Sequence, residues 1–263
     1  MDRDAYINRR MIRALTLILC ALTACNAPPQ THVDLPKKDQ QSGYKFLTAE
    51  TQALQDDDFA NPGFLWVDKG ETLFNAGEKA CVTCHTDKLK GASTTFPKVT
   101  AQGGLINLEG QINLCRVNQQ LEAPLPYESD DLLSLTAYIA HQSRGMPNKV
   151  KTDGPAANYI QQGRDYFFTR RGQMNLACST CHDKNWGKKL RGDTISQGHS
   201  NAFPAYRLEW QSLGSLHRRL HDCDTGVRAE PQALGSDTYT AVELYLAARA
   251  SDQITVEVPG VRR

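Results

Sequence analysis

Two pentapeptides, CVTCH at 81–85 and CSTCH at 178–182, constrain this chain more than anything else in it. The pattern C-x-x-C-H is the mark of covalent c-type haem attachment, in which two thioethers fix the porphyrin and the histidine ligates iron. Cys81, Cys84, Cys178 and Cys181 are therefore the expected attachment points, His85 and His182 the expected axial ligands, and two haem c groups the expected cofactors. A zinc site would call for paired C-x-x-C units and would not place histidine directly after each.

The surroundings of the two motifs repeat one plan. Asn61 and Pro62 read as cap and first residue of a helix running to about Asn75, shortly before the first motif. Ala156, Tyr159, Ile160, Gly163 and Phe167 fall at helical spacing before the second. Each motif is followed by a Gly-, Pro- and polar-rich stretch, a lone cysteine and a closing helix. The closing helices are expected at 129–143 and 236–250, with serine caps, and Tyr138-Ile139-Ala140 matches Tyr245-Leu246-Ala247. This order predicts a mainly α fold of two tandem cytochrome c-like domains, 49–150 and 151–263, each with one covalent haem and the second carrying the active-site cysteine.

At the N-terminus, Arg9, Arg10 and Arg13 precede an apolar run, 14–22, too short to cross a bilayer, so residues 1–25 read as an export signal and the mature chain as periplasmic. Leu22-Thr23-Ala24-Cys25 resembles a lipobox, which would make Cys25 a lipid anchor; an ordinary secretory cleavage near Ala24 or Ala27 is the alternative. Residues 26–48 read as a tether, rich in Pro, Gln and Lys up to Gln41. Thirty basic and 29 acidic residues leave a formal charge of +1, so nothing global points to nucleic acid or an anionic membrane surface. Any charge argument must be local.

Of eight cysteines, Cys20 leaves with the leader, Cys25 is anchor or scar and four belong to the motifs, leaving Cys115 and Cys223. In an exported protein two spare cysteines suggest a disulfide. The repeat suggests instead one cysteine per iron, because aligning the closing helices sets Cys115 and Cys223 one position apart in register. None of the four methionines, Met1, Met11, Met146 and Met174, lies in a ligand loop. Histidine competes weakly in the first copy, through His141, and more in the second, through His199, His217 and His221. Cysteine thiolate is the leading sixth ligand at both irons. Cys223 also stands among Arg218, Arg219 and Arg228; such a cluster is either a solvated helix face, partly neutralised by Asp222, Asp224 and Glu230, or the cationic surrounding of a reactive thiolate. On a helix ending near Leu220 the first two arginines point about 100° apart, so only one faces the haem.

The stretches SGYKFL, DDFANPGFLWV, INLCR, HSNAFPAYRLEWQSLGSLHRR, the cysteine and GVRAEP resemble the SoxA family, the dihaem subunits of the SoxAX cytochromes of bacterial sulfur oxidation. The resemblance spans roughly 42–249, and the tail 251–263 adds nothing to it. It implies L-cysteine S-thiosulfotransferase activity: thiosulfate is joined oxidatively to a cysteine thiol of the carrier SoxY, with two electrons passing to haem. It further implies Cys223 as catalytic residue, carried as a persulfide and ligating the second iron, Arg219 as substrate-binding residue, Cys115 as ligand of the first iron, and a SoxX-like monohaem cytochrome as heterodimer partner. Arg228 is expected to pair with Glu230 or a haem propionate. Asp224-Thr225 departs from the Met-Ser often found after the family's cysteine, which raises the expectation of altered anion affinity beside the thiol. Two other readings stay open on the residues alone: a dihaem electron carrier with passive cysteine ligands, and a scaffold in which Cys115 and Cys223 are disulfide-bonded.

Overall fold

The computed structural model describes residues 34–250 and 254–263. The leader 1–25, Cys25, the first part of the expected tether and residues 251–253 lie outside the described residues.

Helix pairs define each copy. Helix α1 spans Ala49–Asp56, with Thr48 as cap. Helix α2, Phe64–Asn75, buries Val67, Gly70 and Phe74, one stripe at spacings of three and four, and packs on α5, Asp130–His141. In the second copy α6, Ala156–Phe168, buries Gly163 and Phe167 against α9, Asp237–Arg249. Both closing helices have the expected caps: Ser129 Oγ accepts from Leu132 N and Ser236 Oγ from Tyr239 N. Glycine costs a helix interior about 1 kcal/mol relative to alanine, yet Gly70 and Gly163 are required. A Cβ at Gly70 would collide with the Ser134 carbonyl and Tyr138, and one at Gly163 with the Ala241 carbonyl and Tyr245. Next to these crossings Phe74 meets Tyr138 at 5.3 Å and Phe167 meets Tyr245 at 5.4 Å, so the repeat extends to packing.

Between the paired helices each copy runs the same course. A single turn carries the motif, α3 (Cys81–Cys84) or α7 (Cys178–His182). After a loop and a Phe-Pro step, Phe96-Pro97 or Phe203-Pro204, comes an antiparallel hairpin: β1 (Lys98–Val99) with β2 (Leu105–Ile106) in the first copy. The second copy inserts the hairpin β3 (Lys189–Leu190) and β4 (Asp193–Thr194), then pairs β5 (Ala205–Arg207) with β6 (Ser212–Gly214). A cysteine-bearing helix follows, α4 (Leu108–Cys115) capped by Asn107, or α8 (Leu216–Gly226) capped by Ser215.

Four expectations are corrected here. Helix α2 starts at Phe64, because Asn61 Oδ1 accepts from Gly63 N in a tight turn and Asn61 Nδ2 donates to Pro259 O. Helix α8 runs past Leu220 to Gly226, and both lone cysteines lie in helices and not in loops. The described part of the tether is docked: Asp34 accepts from Tyr245 Oη and Arg164, and Gln41 N donates to Gln197. The tail is structural. Its strand β7, Gly260–Arg262, runs parallel to β5, and Val256, Val258 and Val261 are buried in the core of the first copy together with Tyr206 and Leu213. Each copy has its own hydrophobic cluster, the first completed by Tyr206, Leu213 and the tail valines of the second, and residues 34–263 form one compact unit. At the junction the copies also meet through polar groups: Asn107 Nδ2 donates to Glu243, which lies 3.2 Å from His217 Nε2, and Glu109 lines the same cavity.

Candidate functional site

In the second copy, α7 places Cys178 and Cys181 one turn apart, with His182 at its end. The imidazole Nδ1–H donates to the Ser196 carbonyl at 2.8 Å, which fixes the ring and leaves the Nε2 lone pair free. Burial lowers the His182 pKa, and the charges of Arg219 and Arg249 lower it further, so the neutral form that can ligate iron is favoured. Gly198, at φ +75°, lets the loop run against the ring; a Cβ there would stand 2.9 Å from His182 Cγ. These residues fit a c-type haem: a pair of thiols for the vinyl groups and an oriented imidazole.

The structure brings the lone cysteines to the motifs. Burial pushes the Cys178 thiol up to about 11, and the nearby charge of Cys223 adds to the rise; Cys181 is raised by the same two causes. In the first copy burial raises the Cys81 thiol, and the neighbouring Cys115 adds to the rise. The two lone cysteines are not bonded to each other, and all six described cysteines are free, which goes against the disulfide scaffold.

Helix α8 sets Arg219 one turn before Cys223, on the same face. Aligned on their caps, α4 and α8 match Asn107 with Ser215 and Cys115 with Cys223, so the one-position slip seen in sequence disappears within these helices. The match also pairs Gln111 with Arg219. Gln111 Nε2 donates to Cys115 Sγ at 3.5 Å, showing that a side chain at this position reaches the sulfur. At the matching position the second copy carries a permanent cation, Arg219, in place of the neutral amide. Arg218 points elsewhere, onto the Trp210 ring at 4.1 Å and toward Ser212 and Glu128.

The expected role of Asp224 changes. It is buried beside Cys223 and accepts from Tyr166 Oη at 2.5 Å, Tyr239 Oη at 2.8 Å and Arg171 Nη1 at 3.4 Å. Its charge is taken up by these donors, and its work is to pin the last turns of α8 onto α6 and α9. Arg228 is exposed and pairs with no described residue; its backbone, at φ +59°, accepts from Gln173 N. Among the competing histidines, His217 Nδ1 accepts from Gly235 N and its ring faces Glu243, while His141 Nδ1 lies 3.0 Å from the Val258 carbonyl. His221, two residues before Cys223, points away from the sulfur by the helical offset. His199 is buried beside His182 and Arg249, and neither ring nitrogen has a partner among the described residues. The first site is looser: the His85 ring makes no hydrogen bond to a described residue.

Sequence reasoning passed over Gln111, Trp210 and Arg171. Gln111 was within reach, by continuing the repeat alignment back from Cys115. Arg171 stacks on Tyr166 at 3.5 Å and contacts Cys178 Sγ at 3.7 Å, and its carboxylate partner, Asp224, is 53 residues away and gives no sequence signal.

Comparison with known proteins agrees with this geometry. A family model described as the SoxA/TsdA cytochrome c domain matches residues 69–148. The L-cysteine S-thiosulfotransferase subunit SoxA of Pseudaminobacter salicylatoxidans is 37% identical over 246 residues, covering 90% of this chain and 85% of the relative. The chain belongs to the SoxA family. The SoxA subunit of Rhodovulum sulfidophilum is 36% identical over 90% of this chain and 85% of its own length. Among solved structures, a chain of the crystal structure of SoxXA from P. pantotrophus superposes with a TM-score of 0.82 at 35% identity, covering 85% of this chain and 87% of that one. The SoxA fold is mainly α, with a c-type haem.

Proposed function

We propose that this chain is the catalytic subunit of a SoxAX-type L-cysteine S-thiosulfotransferase and that Cys223 is its reacting thiol. The observation that carries this reading is the cation Arg219 one helical turn from Cys223, at a site that also holds a C-x-x-C-H motif, where the other copy has the neutral Gln111. The overall reaction joins the sulfane sulfur of thiosulfate to a cysteine sulfur of SoxY. One S–S bond forms, one S–H bond breaks, the proton goes to solvent and two electrons leave. Haem supplies the electron-accepting capacity at the site.

The chain's own residues do the remaining work. Arg219 holds the sulfonate end of thiosulfate with a planar pair of donors, which turns the sulfane sulfur toward Cys223. Asp224, held by Tyr166, Tyr239 and Arg171, keeps the last turns of α8 in place so that the thiol stays at that distance. His182 and Cys223 would hold the iron of the haem at the second motif, and His85 and Cys115 that of a haem at the first. Cys81 and Cys84 would attach one haem c and Cys178 and Cys181 another.

A SoxX-like monohaem cytochrome is the heterodimer partner and electron acceptor, and the likeness to the SoxXA structure supports it. The export signal makes the protein periplasmic. The test is reconstitution of holoprotein with SoxX, SoxY and thiosulfate. SoxY should acquire one thiosulfonate per carrier cysteine with stoichiometric haem reduction, and an unmodified SoxY would refute the assignment.

A further inference from the structure

Arg219 is one of two arginines that set the second copy apart at this site. The hairpins align through their registers: Ala205 pairs with Gly214 as Lys98 pairs with Ile106, each directly before a helix cap. Arg207 then matches Thr100, as Arg219 matches Gln111. Two neutral polar positions of the first copy, one directly after β1 and one on α4, are both arginine in the second.

Arg207 is an unusual arginine. Its side chain is only 6% exposed, its Nε–H has no partner among the described residues, and its single carboxylate partner, Glu209 at 3.1 Å, is 54% exposed. An exposed carboxylate offsets a buried cation weakly. Trp210 positions the guanidinium from 5.0 Å, and the indole Nε1–H donates to Asp222 at 3.1 Å, the residue before Cys223. Arg207 is within Coulombic reach of both Arg219 and Cys223; burial lowers its pKa first and the charge of Arg219 second, with Cys223 opposing. Arg219 has no ion pair to a described residue. The buried Arg207, with an unused donor and only an exposed carboxylate as partner, thus lies in the neighbourhood of Arg219 and Cys223, linked to the residue before the thiol through Trp210, and buried charge of this kind is retained where an anion completes it.

We propose that Arg207 and Arg219 form a two-guanidinium clamp for the sulfonate oxygens of thiosulfate beside Cys223, with Arg207 Nε–H as one of the donors. The clamp rests on the thiosulfotransferase reading and adds its specificity element: a dianion with several oxygens at one end satisfies both forks, and a neutral thiol cannot. A haem propionate offers the same oxyanion chemistry, so the test must separate the two.

Holoprotein variants Arg207→Gln, Arg207→Lys and Glu209→Gln are titrated with thiosulfate by calorimetry without SoxY, assayed for thiosulfate KM and kcat with it, and measured for the midpoint potential of the second haem. Arg207→Gln is expected to weaken thiosulfate by roughly ten- to a hundredfold in both Kd and KM with kcat less affected. Arg207→Lys should recover part of that loss, and Glu209→Gln should tighten binding by about two- to fivefold because the Arg207 charge is no longer shared. The haem potential should stay in place. An unchanged Kd with a shifted potential would assign Arg207 to a propionate and overturn the clamp. If Arg207→Gln fails to take up haem, Glu209→Gln decides, and an unchanged Kd there overturns it as well. Normal transfer with unaltered KM in Arg207→Gln sinks the clamp alone, whereas Arg207-dependent thiosulfate binding without transfer in the wild type sinks the thiosulfotransferase reading and leaves the clamp standing.

Discussion

Replacing Asp224 tests the proposal that a buried carboxylate holds the reactive cysteine in place. In Asp224→Ala the hydroxyl of Tyr239, fully buried, loses its acceptor, the half-buried Tyr166 hydroxyl turns to water, and Arg171 keeps its bond to the Tyr166 carbonyl but loses its counter-charge. An orphaned buried hydroxyl costs about 1 to 3 kcal/mol, and removing one partner of a buried pair about 3 to 5. Arg171 is 14% exposed and stays stacked on Tyr166, so the combined loss is set at about 3 to 5 kcal/mol. Asp224→Asn keeps one oxygen as acceptor and should lose about 1 to 2 kcal/mol. For a unit of this size each kcal/mol lowers Tm by about 2 to 4 °C, which separates the two variants by several degrees. Denaturant unfolding of holoprotein, with thiosulfate transfer measured alongside, reads both effects. Transfer should fall with the last turns of α8 even where haem content is normal. A loss below about 1 kcal/mol in Asp224→Ala, or a larger one in Asp224→Asn, would refute the anchor.

Four further outcomes are expected. Cys223→Ala should abolish transfer while intact mass shows both haems attached, since attachment uses Cys81, Cys84, Cys178 and Cys181. Arg219→Lys keeps the charge and loses the fork, so thiosulfate KM should rise roughly ten- to a hundredfold, while Arg218→Lys, turned onto Trp210, should change it little; equal damage would mean that net charge alone matters. Gly70→Ala and Gly163→Ala should each cost about 3 kcal/mol or more in denaturant unfolding, because the new methyl meets a backbone carbonyl of the facing helix; a neutral result would place the crossings farther apart. Glu109 is raised to about 7 by burial and then by the charge of Glu243. The folded state therefore holds a proton that the unfolded chain has released, and stability falls as pH rises from about 4.5 through 7. Glu109→Gln should match the wild type near pH 4 and be the more stable at pH 8, and parallel pH profiles would remove the effect.

How much was legible beforehand depends on the range of each signal. The serine caps of α5 and α9 and the helical repeat are local patterns, set by residues within a turn or two of one another, and the structure has them where the sequence puts them. The start of α2 and the extension of α8 were misread because each is decided by a distant partner. Asn61 is held by Pro259, and the last turns of α8, made of the weak helix formers Asp222, Cys223, Asp224, Thr225 and Gly226, are held by Tyr166, Tyr239 and Arg171.

The amino-acid sequence alone determined the chemistry: which cysteines can attach haem, which histidines follow them, and which two sulfurs are left over. Only the tertiary structure decided the surroundings of those sulfurs. It turned Asp224 from a neighbour of the thiol into a buried anchor, drew the tail from Val256 to Arg262 into the core of the first copy, and buried Arg207 with an unpaired Nε–H. The physical reason is the same in each case. Covalent and capping patterns act through neighbours in the chain, whereas burial, charge compensation and orphaned donors are properties of side chains that meet only after folding.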